Sequence, residues 1–241
     1  MTLVASEFIC MNITLLFDNT AADSSLRTGW GFSALIGRLL FDTGCDGEVL
    51  LHNMSALGVG VSDFDTVVIS HDHWDHWGGL WKLLEQRRDL DVVVCDGFSD
   101  EFYHNLKQAG ARVRVAQPWE ALAEGIYSTG AMETSYKGQS LTEQSLVIVQ
   151  GALFSVISGC AHPGIINIVH RAQDHFSGLR PDMILGGFHL FRSPDNQGDE
   201  VIAELYELGF ERVYPVHCSG ENLRNIPGAG IAAGSRLSIS S

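Results

Sequence analysis

Residues 71–76 read His-Asp-His-Trp-Asp-His, and no other feature constrains the chain as strongly. In the spacing H-x-H-x-D-H, the three imidazoles and the carboxylate of Asp75 are side chains of the kind that hold Zn²⁺ or a similar divalent ion. The run follows residues 65–70, an apolar, β-branched segment that predicts a buried strand. Residues 77–88 come next and predict a helix. In extended chain, side chains two positions apart project to one side, so His71 and His73 are expected to face together. Where the chain turns toward the helix, Asp75 and His76 can point at a neighbouring position. One short loop therefore offers two adjacent half-sites for metal. A merely solvated polar loop would not need that spacing.

Three further histidines each end a strand-like run: His162 after 154–159, His189 after 183–188 and His217 after 212–216. Strand ends are where rigid sheets present side chains to a shared crevice. Six of the ten histidines thus fall in strand-end loops, which argues against random scatter. His52, His104, His170 and His175 sit in helix-like segments and read as surface or packing residues. Phe41-Asp42-Thr43-Gly44 is one more strand end, bearing a carboxylate. Metal-bound imidazoles usually donate their second N–H to an oxygen acceptor, and Asp42 is the candidate for that role. A plain Asx turn is the alternative.

Strand-like runs fall at 12–17, 32–36, 38–41, 66–70, 91–95, 111–115, 146–149, 153–158, 183–185 and 212–216. Helix-like runs fall at about 47–56, 77–88, 99–109, 164–176 and 197–208, and residues 231–239 read as a closing strand. The order predicts sheets covered by helices, an α/β or α+β layered fold. No linker or repeat divides the chain, so residues 1–241 read as one domain. With 45% hydrophobic and 18% charged residues, the chain can bury a substantial core. A net charge of −14 would repel a nucleic-acid backbone over most of the surface. Arg87, Arg88, Arg112 and Arg114 read as helix-end and strand residues rather than a phosphate track. No run reaches the ~18 apolar residues of a membrane span, and no targeting segment stands out, so a cytoplasmic location is expected. The five cysteines (Cys10, Cys45, Cys95, Cys160 and Cys218) form no C-x-x-C pair, which argues against a disulfide framework. Cys160 and Cys218 read as small buried packing residues. No heptad or interface stripe sets an oligomeric state.

With these motifs in hand, the chain resembles the metallo-β-lactamase fold superfamily. Asp42-Thr43-Gly44, the run 71–76, His162 and His217 carry the resemblance, in that order, over nearly the whole chain. Further motifs resemble one branch, the 7,8-dihydropterin-6-methyl-4-(β-D-ribofuranosyl)aminobenzene-5′-phosphate synthase-like proteins. They are Leu40-Phe41-Asp42-Thr43-Gly44, Leu50-Leu51-His52-Asn53, Ser158-Gly159-Cys160-Ala161-His162 with Gly164-Ile165-Ile166-Asn167-Ile168, Gly186-Gly187-Phe188-His189-Leu190 and His217-Cys218-Ser219-Gly220. The resemblance implies a four-layer αββα sandwich with a dinuclear site along one edge. It implies His71, His73 and His162 on a first metal, and Asp75, His76 and His217 on a second. Many members bridge the two ions with an Asp at the fourth motif. Here that region reads Gly186-Gly187-Phe188-His189, with no acid until Asp195, and His189 is the candidate to face the site as ligand or proton carrier. An all-imidazole first site suits Zn²⁺, one or two per chain, with Mn²⁺ or Fe²⁺ as alternatives.

The expected function is metal-dependent hydrolysis of a small ester, lactone or phosphoester by metal-bound hydroxide, which forms near pH ~7 against ~15.7 for bulk water. Asp75 could orient the nucleophile and His189 protonate the leaving group. One alternative is a pterin-type synthase that transfers a dihydropterin-methyl group as diphosphate departs. Another is a non-catalytic, metal-stapled binding or sensor protein. The expected partner is a small-molecule substrate, with neither nucleic acid nor membrane. Trp30, Phe32, Trp74, Trp77, Phe188 and Phe191 flank the motifs as candidates for a pocket wall or for core packing.

Overall fold

Runs such as Leu39-Leu40-Phe41 and Val92-Val93-Val94 are apolar at consecutive positions, so strands built from them need burial on both faces. The structure, a computed structural model, describes residues 11–224 and 226–239. Cys10 lies outside the described residues. The chain begins with β1 (Met11–Phe17), β2 (Ser33–Ile36), β3 (Leu39–Phe41), α1 (Gly47–Ala56), β4 (Thr66–Val68), α2 (Trp74–Trp77), α3 (Leu80–Gln86), β5 (Asp91–Val94), α4 (Asp100–Ala109) and β6 (Arg112–Val115). Four short strands follow: β7 (Ala121–Ala123), β8 (Ile126–Ser128), β9 (Met132–Tyr136) and β10 (Gln139–Glu143). Then come β11 (Leu146–Gln150), β12 (Leu153–Ser158), α5 (Ile165–His175), β13 (Arg180–Gly187), α6 (Asp195–Glu207), β14 (Arg212–Val216), a 3₁₀ turn (His217–Ser219), α7 (Glu221–Arg224) and β15 (Arg236–Ile239).

The described residues form a seven-stranded sheet in the order β15-β1-β2-β3-β4-β5-β6 and a six-stranded sheet in the order β14-β13-β12-β11-β8-β7. The β9–β10 hairpin stands apart as a two-stranded sheet. Alternation along the strands sorts side chains into three cores. Leu39, Phe41, Val68 and Val93 point between the sheets, where they meet Leu146, Ile148, Ile157 and Leu185. Leu40, Val67, Val92 and Val94 point outward and pack under α1, α3 and α4. On the far side, Phe154, Val156 and Ile184 pack under α5 and α6 with Ile168, Val169 and Leu205. The result is the four-layer αββα arrangement that the resemblance implies. β3 through β6 run parallel, as do β12 through β14. Loops leaving the carboxyl ends of these strands collect at one edge, where parallel sheets place ligands.

Two expectations need adjusting. The helix expected over 77–88 is two pieces, α2 and α3, broken at Gly78-Gly79. A Cβ at Gly78 would lie 2.3 Å from the Cys45 carbonyl oxygen, and one at Gly79 would lie 2.3 Å from that of Thr43. Only glycine lets the 43–45 loop press against this turn. The closing strand expected over 231–239 is confined to its last four residues, which pair with β1. No helix among the described residues is long and apolar enough to cross a membrane.

β7 to β10 are absent from the sequence reading because their polar residues lack a clear apolar stripe, as in Met132-Glu133-Thr134-Ser135-Tyr136. They matter because β10 ends on Glu143, which is almost fully buried. Its carboxylate accepts the backbone N–H of Cys160 and Ala161 at 2.8 Å and of His162 at 2.7 Å. Its backbone pairs with His71 across a bridge. Burial raises its carboxyl above the usual range, although the three amides favour the charged form. One residue therefore clips the loop after β12, through its side chain, to the loop after β4, through its backbone. Glu143→Gln puts an NH₂ where a carboxylate oxygen accepts an N–H, leaving at least one buried amide without a partner. The expected cost is about 1–3 kcal/mol, read from the urea unfolding midpoint. A change under ~0.5 kcal/mol would show that the loop is held by other means.

Candidate metal centre

The chain leaves β4 through Ser70 and presents His71 and His73 side by side, with His71 Nε2 3.0 Å from His73 Nδ1. It then turns into α2, which carries Asp75 and His76 inward. The α2 turn is docked on the loop after β3: Thr43 donates its N–H and its hydroxyl to the His76 carbonyl oxygen at 2.7 and 3.0 Å. The loops after β12, β13 and β14 bring His162, His189 and His217. Backbone strain gathers here, for Asp42, Ala161, His189 and His217 all hold left-handed φ values between 48° and 57°. Such conformations cost about 1–3 kcal/mol each and persist where surrounding contacts over-determine them.

The structure brings together both expected half-sites. Donor atoms of His71, His73 and His162 lie within 4.8 Å of one another, and so do those of Asp75, His76 and His217. His217 Nε2 is 3.4 Å and His76 Nε2 is 3.7 Å from Asp75 Oδ2. His189 reaches the same region, with its ring centroid 4.2 Å from that of His162. Cys160 enters it as well, with Sγ 3.2 Å from His76 Nε2.

Hydrogen bonds set which ring nitrogens point inward. Asp42, fully buried, accepts the Ser70 N–H at 2.7 Å, the Ser70 hydroxyl at 2.8 Å and His76 Nδ1–H at 2.6 Å. The Ser70 hydroxyl proton is committed to Asp42, so its oxygen accepts from His71 Nδ1–H at 2.9 Å. Asn19 Oδ1 accepts from His217 Nδ1–H at 3.1 Å. In each case Nε2 is the ring nitrogen left facing the centre. Asp42 thus makes the imidazole contact expected of it and is more than an Asx turn.

Electrostatics divide the two half-sites. Burial, reinforced by neighbouring imidazoles, pushes His71 and His73 below their ordinary value and His162 down to about 2. All three are therefore neutral and ready to donate a lone pair. Burial also acts to lower His76, but the charge and hydrogen bond of Asp42 raise it to about 9. Burial acts to raise Asp75, but the adjoining His217 and His76 hold its carboxyl well below the usual carboxylate range.

This donor set fits a divalent cation. His162 Nε2, His217 Nε2 and His189 Nδ1 are buried with no hydrogen-bond partner, and His162 and His217 belong to the two donor groups. Buried imidazole nitrogens aimed at a common point and left unpaired are costly unless something electrophilic sits between them.

The centre opens on a pocket of about 310 Å³ walled by Trp30, Trp74, Tyr136 and Phe191, with Lys137 at its side. Three of the expected aromatic candidates, Trp30, Trp74 and Phe191, line it. The other three do not. Phe32 lies between the sheets and Phe188 lies under α5 and α6. Trp77 packs on Trp81 and Phe102 and donates its indole N–H to Asp72 at 3.0 Å. Cys160 and Cys218 are buried, as expected of small packing residues, and their sulfurs in addition stand 3.3 Å apart beside the imidazole donor atoms. Glu143, Tyr136 and the Asp18-Asn19 pair escaped the sequence reading. Asp18 follows β1 as Asp42 follows β3, so the strand-end rule applied to Asp42 would have found it. Its carboxylate accepts the His217 N–H at 2.9 Å and pairs with Arg224 at 2.7 Å. The four helical histidines lie away from the centre; His175, for example, stacks on Trp119 at 4.2 Å.

Known proteins share this architecture. A solved structure described as a metal-dependent hydrolase of the beta-lactamase superfamily is 27% identical, with a TM-score of 0.78, over 96% of this chain and 100% of its own. The metallo-beta-lactamase fold protein YhfI from Bacillus subtilis, 15% identical, superposes with a TM-score of 0.67 over 95% of this chain and 99% of its own. The 7,8-dihydropterin-6-methyl-4-(beta-D-ribofuranosyl)-aminobenzene-5'-phosphate synthase of Methanocaldococcus jannaschii is 24% identical over 88% of each chain. The family model of the metallo-beta-lactamase superfamily matches residues 31–164, from just before β2 to just past His162, and the chain belongs to that superfamily.

Proposed function

We propose that this protein is a metal-dependent hydrolase of a small ester, lactone or phosphoester. The observation that carries the reading is the pair of donor groups facing one pocket with buried, unpaired imidazole nitrogens. His71, His73 and His162 would hold one divalent ion, and Asp75, His76 and His217 a second, with Zn²⁺ the best match to imidazole-rich ligation. Bound there, such an ion would supply Lewis acidity and lower the pKa of a water beside it to about 7. The chain's own groups do the rest. Asp75 stays anionic and can accept a hydrogen bond from the attacking oxygen. His189 Nδ1, unpartnered and beside His162, can carry a proton to the leaving group. Trp30 and Phe191, edge to face at 5.3 Å, shield one side from water, and Lys137 offers a cation to an anionic substituent.

Group transfer is a second reading, supported by the synthase relative and by the aromatic wall, which suits a planar ring. In that reading Lys137 and the metal ions would hold a diphosphate leaving group. A screen of phosphodiesters, lactones, thioesters and β-lactams on Zn²⁺-loaded protein tests hydrolysis, with His73→Ala as control. A dihydropterin diphosphate with an aromatic amine acceptor tests transfer. Turnover only in the transfer arm would overturn the hydrolase reading.

Two further outcomes are expected. His76 has a pKa of about 9, so an ion using its Nε2 must displace a proton, and its affinity should climb up to about 100-fold from pH 6.5 to 8.5. The rings of His71, His73 and His162 are already neutral and add no proton release of their own. Calorimetric Zn²⁺ titration at both pH values checks this, and an affinity for the ion on His76 that does not rise with pH would refute it. His189→Gln should lower kcat by about 100-fold or more at unchanged metal content. Unchanged kcat would remove His189 from the proton path.

A further inference from the structure

We propose that Cys160 is itself a metal ligand, contributing a thiolate on which the imidazole half-sites converge. The proposal rests on the metal-centre reading and adds a donor of a different chemical kind. Cys160 Sγ falls in one donor group with His71 and His76, in a second with His162 and His189, and in a third with His217 and Cys218. It therefore stands within 4.8 Å of donors from both half-sites. Its main chain is fixed by Glu143, which accepts the Cys160 N–H at 2.8 Å, so the sulfur is delivered to this spot by a buried clamp.

A second observation points to a ligand at the same place. His217 Nε2 is buried, has no hydrogen-bond partner, and shares a donor group with Cys160 and Cys218. His162 Nε2, also unpartnered, shares another group with Cys160. The sulfur's neighbours include imidazole nitrogens and a second sulfur. A thiol is a poor hydrogen-bond donor, so as a mere space-filler it satisfies this surround badly. As a ligand it loses its proton to solvent when the ion enters, and the thiolate gains a strong partner. Cys218 plays a supporting part: its sulfur lies 3.3 Å from Cys160 and donates to it, and its donor group takes in only Cys160 and His217.

A soft sulfur in the set has a consequence for metal choice. It favours Zn²⁺ over Mn²⁺ or Mg²⁺, which prefer oxygen.

X-ray absorption at the zinc edge of the Zn²⁺-loaded full chain tests the proposal without reference to turnover. The expected spectrum has a sulfur shell at about 2.3 Å beside nitrogen and oxygen at about 2.0–2.1 Å. Cys160→Ser should lose the sulfur shell, and Cys218→Ser should keep it. A nitrogen-and-oxygen shell alone in the unmodified protein, at stoichiometric zinc, overturns the cysteine assignment and leaves the metal-centre reading standing. A sulfur shell that survives Cys160→Ser also overturns it. Failure of the unmodified protein to bind zinc overturns both. Because the unmodified spectrum decides the main point, misfolding of either variant does not spare the proposal.

Discussion

Three buried carboxylates, each set at the end of a strand, hold the loops of this site in place. Asp42 at the end of β3 accepts the Ser70 N–H of the 71–76 loop. Glu143 at the end of β10 accepts three consecutive N–H groups of the Cys160–His162 loop. Asp18 after β1 accepts the His217 N–H. Charge-assisted hydrogen bonds to backbone amides are stronger than neutral ones, and in a water-poor interior they lose little to competition. The loops carry left-handed residues that would relax if released. The carboxylates therefore supply what the sheets alone cannot, a fixed path for irregular chain across the sheet ends.

The same carboxylates create an electrostatic problem that bears on metal binding. Asp18 is matched by Arg224, and Asp42 by His76. Among the described residues, the charges beside Asp75 are those of the His76 and His217 imidazoles, and Glu143 is met by three amides and the more distant charge of His76. A buried carboxylate without full compensation costs several kcal/mol. A divalent cation among the imidazoles offsets that charge without disturbing any amide contact. The buried acids thus favour an occupied centre, and the centre in turn favours keeping them ionised.

Much of this was legible in the chain because strand-then-ligand is a local pattern. Apolar strands followed within a few residues by His or Asp can be read locally, and His71, His162, His217 and Asp42 stand out that way, while His73, Asp75 and His76 stand out from the 71–76 run itself. What could not be read depends on distance in sequence. Cys160 and Cys218 are 58 residues apart, and nothing in their spacing says that their sulfurs meet. Glu143 sits at the end of a polar segment, Gln139-Ser140-Leu141-Thr142-Glu143, whose burial comes from the loop it clips and not from its own pattern. Trp77 misled for the opposite reason. It adjoins His76 in sequence, but successive residues on a helical turn point about 100° apart, which sends its ring to the outer core.

The donor residues ride on ends of the two large sheets, whereas part of the pocket wall does not. Tyr136 and Lys137 lie at the tip of the β9–β10 hairpin, a small sheet of its own that is tied to the rest at its base by Glu143 and by the Thr142 hydroxyl bonded to the Asp96 carbonyl. Tyr136 touches the rings of His73, His162 and His189 from outside, at centroid distances of 5.0 to 5.5 Å. Substitutions at that tip can reshape what the pocket admits without moving a donor atom or a core residue. The fold itself is compatible with more than one chemistry, since similar proteins carry the names of a hydrolase and of a synthase. The division between a donor set on the large sheets and a wall on a small hairpin gives that latitude a physical basis. Under the proposed function, the hairpin tip together with Trp30 and Phe191 would set which substrate enters, because these residues line the pocket over the donor atoms.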